Sequence, residues 1–298
     1  LRDLKVFDYA LSAEQAASLC AGHHPVTPKY WWKCDEGGGS SLTSTGTATA
    51  INSSSFGGNA ALGDNNGTLD LDGILAIAAN GTLSAPRGNM TLAGTVKAFE
   101  NAGTFTHNNG TVVFDNGADV AQSIQDDETA STVFYNLTNN RAASSYHMYI
   151  KGDITVENIL LNQSGFVNLY GPNTLTMGTT SSAGAITMTS SGIRFYDNDS
   201  SNYAKIYGAS SLYPFVYTGN EPDIDTYSTN ASHVALKNGD IQVAMTSDYQ
   251  AGIVKLDGDM QFDAVTINAN DDFDINGQRA HFGGILTIKS LSAIIKPP

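Results

Sequence analysis

The sequence predicts an all-β chain: a parallel, β-helix-like solenoid, preceded by an antiparallel strand pair and one short helix. Three observations carry this. Apolar residues alternate with polar ones over short stretches, as in Leu69 and Leu71, Met90 and Leu92, and Val112 and Phe114. Such alternation marks half-buried strands. Gly, Asn and Asp punctuate these stretches throughout, with no helical period after the first helix. A longer similarity, between about 132–178 and 260–288, joins "FYNLTNN" to "FDAVTIN" and favours stacked coils over a sandwich.

The first element is a short strand over residues 4–9. "LSAEQAASL" follows as a helix of one to two turns. Ser12 is its N-cap, Glu14 and Gln15 lie in its first turn, and Gly22 sits just past its end. The next segment, "AGHHPVTPKYWWK", lies between the only two cysteines, Cys20 and Cys34. A bridge between them would stabilise that loop by about 3 kcal/mol. Two small buried residues that never meet are the equal alternative. A second strand covers residues 29–35 and is expected antiparallel to the first.

These two stretches resemble parts of one family. "LKVFDYALSAEQ" is similar to the closing strand and short helix of a LamG-type (concanavalin A-like) jelly roll. "YWWKCDEGGG" resembles its first strand, with Trp32, Asp35, Glu36, Gly37 and Gly39 on the pattern and Cys34 where Phe is usual. The Asp of the usual "DSSG" continuation is missing from "TSTG". The resemblance covers residues 1–46 and implies a LamG-like strand, helix, linker and strand able to cap the first coil of the solenoid. The family's middle strands are absent, so none of its sugar or calcium sites transfers to a residue here. A closing strand ahead of an opening one suggests a piece of a longer pattern.

Residues 47–298 form the second region, an irregular solenoid. Gly-Thr recurs at Gly67, Gly81, Gly94, Gly103 and Gly110 with unequal spacing, which is no strict calcium nonapeptide repeat. The series resembles β-solenoid segments of large secreted or virion-borne surface proteins, which are often chained to LamG-like domains.

Composition narrows the function. Net charge is −14, pI about 4.6, and only 15% of the 298 residues are charged. An acidic surface repels phosphate backbones, so nucleic acid is not an expected partner. No apolar run approaches the roughly 20 residues of a membrane-spanning helix, so membrane insertion is not expected either. Nucleophile-elbow, zincin, P-loop and C-x-x-C motifs are all missing, and the six histidines are scattered.

Two acidic clusters remain. Asp272, Asp274 and Asn276 in "DDFDINGQ" match the first half of a calcium loop, but the closing Glu position, 283, is Gly. Asp197 and Asp199 in "YDNDSSN" also lack a distant carboxylate. The preferred reading of both is a strand whose carboxylates face water, with Asn-Gly turning the first. Calcium is thus the only cofactor the residues suggest. Tyr213, Tyr217 and Tyr227 are candidate glycan contacts in a segment with two prolines; Tyr213, Phe215 and Tyr217 read equally as one core strand.

The leading expectation is therefore a non-enzymatic structural or fibre-forming module of a larger extracellular assembly, on a virion or a cell surface. It would self-associate into a homo-oligomer or filament. A carbohydrate-binding adhesin module is the alternative, and a β-helix polysaccharide-degrading enzyme ranks last.

Overall fold

The computed structural model describes residues 4–7, 9–21, 26–28, 30–32, 41–42, 44–46, 51–52, 67–115, 121–126, 130–140, 147–196, 203–220, 233–247, 253–267, 272–289 and 294–296. The chain divides into two compact units, residues 1–69 with 86–88 and residues 70–85 with 89–298.

In the first unit Leu4–Val6 pairs antiparallel with Tyr30–Trp32, placing Leu4 opposite Trp32 and Val6 opposite Tyr30. Ser44–Gly46 adds antiparallel on the far side of Tyr30–Trp32. The pair foreseen from the sequence is present. The helix spans Ala13–Cys20 and carries a capping box. The Gln15 N–H donates to Ser12 Oγ at 3.2 Å, and the Ser12 N–H donates to Gln15 Oε1 at 2.8 Å. Two of the helix's unpaired donors are satisfied this way. Since the helix buries no residue, its cap matters more than usual.

The second unit is a parallel solenoid with three strand positions per turn, here called faces A, B and C. Face A runs through Asn89–Leu92, Thr111–Phe114, 136–139, 159–162, Ala185–Met188, 216–219, 239–241, 260–262 and Ala280–Phe282, nine strands joined by eight steps. Face B stacks Leu75–Ile77, Val96–Asn101, Gln122–Ile124, His147–Ile150, Phe166–Tyr170 and Ile193–Tyr196. In later turns its place in the chain is taken by 244–247, 264–267 and Leu286–Ile288. Face C runs from 132–134 and 154–156 through Thr174–Met177, Ala204–Gly208, His233–Lys237, Ile253–Leu256 and Asp272–Asp274 to Ile294–Lys296. Parallel neighbours need a long crossover, and here the rest of each turn supplies it.

Alternation along each strand sends every second side chain inward. On face A one inward column reads Met90, Val112, Leu137, Leu160, Ile186, Tyr217, Ile241 and Phe262, all buried. Full burial of such a side chain contributes about 1.5–3 kcal/mol. The step along this column varies from 21 residues (Ile241 to Phe262) to 31 (Ile186 to Tyr217). Strands stay in register while corner loops absorb the difference, so no strict period appears in the sequence.

The Gly-Thr dipeptides mark the start of strands rather than the start of turns. Gly94 precedes Val96–Asn101 on face B, Gly103 precedes Thr104–Thr106, and Gly110 precedes Thr111–Phe114 on face A. The glycine is needed because the preceding turn passes so close. A Cβ at Gly94 would lie 2.3 Å from the Gly73 carbonyl oxygen, and one at Gly103 2.3 Å from that of Ala78. The longer similarity is likewise one of corners. Phe134 lies on face C and Phe262 on face A, so the two copies are offset by one face. What they share is a strand that continues through a corner. The register shifts between Phe134 and Asn136 in one ladder and between Ile241 and Ala244 in the other.

Burial changes at the last described turn. Phe262 is 1% exposed, while Phe282, its register partner, is only half-buried. Ile267 is 2% exposed and its partner Ile288 46%. Ile285 beside it is also exposed.

Candidate functional site

Among the described residues, a surface depression lies where successive turns enter face A. It is a groove of about 410 Å³. Its walls come from four turns: Ser211 and Pro214, then Asn238 and Gly239, then Asp259, Met260 and Gln261, then Arg279, Ala280 and His281. With rungs about 4.8 Å apart, the groove runs roughly 15 Å along the stack. The volume falls within the usual range for ligand sites.

The fold fixes this lining. Asn238, at φ +53°, turns the chain from face C to face A, and its side-chain amide donates to the Gly208 carbonyl at 3.2 Å. Gly239 next to it carries no side chain because the Phe215 ring fills that space, 2.2 Å from where a Cβ would sit. Asp259 accepts the Arg279 N–H at 3.1 Å and meets the Arg279 guanidinium at 3.2 Å. Corner backbone groups pair from turn to turn. The Phe215 N–H donates to Asn238 O (3.0 Å), that of Asn238 to Asp259 O (3.0 Å), and that of Met260 to Arg279 O (2.9 Å). Gln261 and His281, register partners on neighbouring turns, are exposed, and their side chains have no hydrogen-bond partner among the described residues.

Of the tyrosines singled out in the sequence, Tyr213 is 43% exposed, in the loop that supplies Ser211 and Pro214. Tyr217 corrects the expectation of a glycan contact: it points inward on face A at 1% exposure. The strand is Phe215–Gly219, so alternation buries Phe215 and Tyr217 together and leaves Tyr213 outside it. Tyr227 lies outside the described residues.

Asp272 and Asp274 lie two residues apart on the strand Asp272–Asp274, just ahead of Asn276. The Asp274 carboxylate accepts the Asn276 N–H at 3.0 Å, an Asx-type turn. Asn276 and Gly277 both have positive φ, and the Asn276 amide reaches back one turn to the Leu256 carbonyl at 3.0 Å. That amide also lies 3.5 Å from Asp257, whose carboxylate accepts the Tyr207 hydroxyl at 2.5 Å and pairs with Lys255 at 3.3 Å. Burial is the largest cause raising the Tyr207 phenol pKa, with Asp257 adding to it. The cluster ties turns together. Asp197 and Asp199 lie outside the described residues. Among the described residues, no three His, Cys, Asp or Glu side chains converge as a metal site would require. Cys20 ends the helix as an exposed, free thiol, and Cys34 lies outside the described residues.

Sequence reasoning missed the groove. Its signal was a spacing: Asn238-Gly239, Asp259-Met260 and Arg279-Ala280 follow one another at 21 and 20 residues. Comparison with known proteins adds no relative, since no protein-family model, curated protein or solved structure matches the chain. Among the described residues, no helix is long and apolar enough to cross a membrane.

Proposed function

We propose that this chain is a non-enzymatic structural module of a larger extracellular assembly, a virion appendage or cell-surface filament, acting through self-association. One observation carries the reading. The inward residues of the turn at 280–288 are half-buried or exposed, although their register partners one turn earlier are buried. A coil buries its inward row only against its neighbours, and a further layer of protein, from this polypeptide or from a second copy, would bury this one. Among the described residues, Ala280–Phe282 and Leu286–Ile288 pair with the preceding turn alone, and their other edge offers a template for that layer. The antiparallel pair Leu4–Val6 and Tyr30–Trp32 supports the LamG-like reading of residues 1–46. The acidic balance of −14 suits a well-solvated exterior protein.

The test is sedimentation velocity of the full chain from about 1 to 100 μM, a range chosen around the affinities of weak to moderate association. The weight-average sedimentation coefficient should rise with concentration. The rise should disappear in an Ile285→Lys, Ile288→Lys double variant with an unchanged circular dichroism spectrum. A monodisperse monomer across the range overturns self-association.

A further inference from the structure

We propose that the groove entering face A is a binding site for a neutral, hydroxyl-rich chain, an oligosaccharide, held by Gln261, Arg279 and His281. The groups that line the groove, and those among them already committed to partners, decide the ligand class.

A divalent cation needs several oxygen ligands, most of them anionic. The groove's lining contains one carboxylate, Asp259, and that is committed to the Arg279 side chain and N–H. A phosphate or a nucleic acid needs uncompensated positive charge. The lining's one permanent cation, Arg279, is paired, in a chain of net charge −14. An extended peptide that added itself as a strand would need free backbone N–H and C=O groups. Along this corner the N–H groups of Phe215, Asn238 and Met260 already bond to the next turn. An apolar ligand would have to desolvate the amides of Asn238 and Gln261, the guanidinium and the imidazole, which share the lining with Pro214, Met260 and Ala280.

Neutral polar recognition by side chains is what remains. Gln261 offers both a donor and an acceptor, and so does the neutral His281 ring. They sit on adjacent rungs, exposed, their side chains without hydrogen-bond partners among the described residues. The Arg279 side chain is 91% exposed, so its fork keeps donors facing solvent beside the Asp259 contact. Pairs of vicinal hydroxyls match such forks and amides, each hydroxyl both donating and accepting. At the rim, the loop with Ser211 and Pro214 presents Tyr213 and the exposed Leu212, an apolar surface for the C–H face of a sugar ring. The groove's roughly 15 Å length favours a short chain over a single ring. Because Asp259 is the lining's one carboxylate, the arrangement binds rather than hydrolyses; glycoside cleavage ordinarily takes two.

The experiment applies the full chain to an array of neutral oligosaccharides. An anionic polysaccharide (alginate) and an extended poly-Ser/Thr peptide serve as controls. Array binders are then titrated calorimetrically. Binding to a neutral oligosaccharide is expected. It should weaken at least tenfold in Gln261→Ala and in His281→Ala, and to a similar degree in Arg279→Gln. Gln261→Glu, which keeps the size of the side chain, separates loss of the amide donor from loss of shape. All variants should keep the wild-type circular dichroism spectrum and sedimentation behaviour, which makes this test independent of the assembly reading. No binding across the neutral array overturns the proposal. So does binding that survives all three substitutions, and so does preference for alginate or for the peptide.

Discussion

Asn139 and Asn162 occupy inward slots of face A where the rungs on either side carry Phe114 and Met188. Two buried amides in an apolar column are tolerated because they complete the corner's hydrogen bonding. The Asn139 amide donates to Asn162 Oδ1 and to Ser164 O, both at 2.7 Å. The Asn162 amide donates to Gly165 O at 2.8 Å and Ser190 O at 2.7 Å. Asn162→Ala removes both donations and the acceptor used by Asn139, and should lower unfolding free energy by about 1–3 kcal/mol in urea titrations. Asn162→Leu should not rescue it, because the orphaned carbonyls remain. Tyr170 gives a pH-dependent residue. Burial first, then the neighbouring Tyr149 and Asp126, push its phenol up to about 12 from 10.0. The neutral form is the one the folded state favours. Its contribution is therefore complete below about pH 10 and is lost as pH rises through about 12. A phenolate absorbance titration should show an ionisation near there that vanishes in Tyr170→Phe, with a shallower alkaline loss of stability in the variant.

Among the elements, the helix was the most legible in advance. Ser12, Glu14 and Gln15 form a local code, and local codes need no tertiary information. Ser12→Ala should cost about 1 kcal/mol of helix stability, read as lost ellipticity and faster amide exchange over 13–20. Backbone N–H groups first, and then Ser12, hold the Glu14 carboxyl below its ordinary pKa. Its contribution is present above the unfolded carboxyl's pKa and fades as pH falls through the folded one, so the helix should fray in acid. The strands were legible as strands, since alternation at Met90 and Leu92 or Val112 and Phe114 is also local. Their faces were not. Gly94, Gly103 and Gly110 look alike in sequence yet begin strands at three different positions of the turn. Only the close approach of the preceding turn at Gly94 and Gly103 reveals why they are glycine. Tyr213 and Tyr217 show the same limit: an alternating trio could not say where the strand begins, and the strand begins at Phe215. The groove was hidden for a related reason. Asn238, Asp259 and Arg279 become neighbours only once turns of unequal length are stacked in register.

At the scale of the whole solenoid, stability is close to a sum of turn stabilities and interfaces between adjacent turns. A turn with neighbours on both sides gains two interfaces; the turn at 280–288 gains only one from the described residues. Local opening free energy should therefore fall along face A toward Ala280–Phe282. Amide exchange of the dilute chain is expected to be slowest near Leu137, Leu160 and Ile186, faster at Phe262, and fastest at Phe282 and Ile288. The burial pattern makes the gradient steep at its end, because Ile267 and Ile288 differ from 2% to 46% exposure across a single step. Association supplies a second condition. If another copy covers this turn, protection at 280–288 should rise with protein concentration while protection at 137–186 stays constant, since those interfaces are already formed. Ile285→Lys with Ile288→Lys should abolish the concentration dependence and leave the central values unchanged. Equal exchange at Phe282 and Leu160 in the dilute chain would show instead that the solenoid opens as one cooperative block. The exposed last turn would then have no energetic consequence, and the case for a covering layer would fall with it.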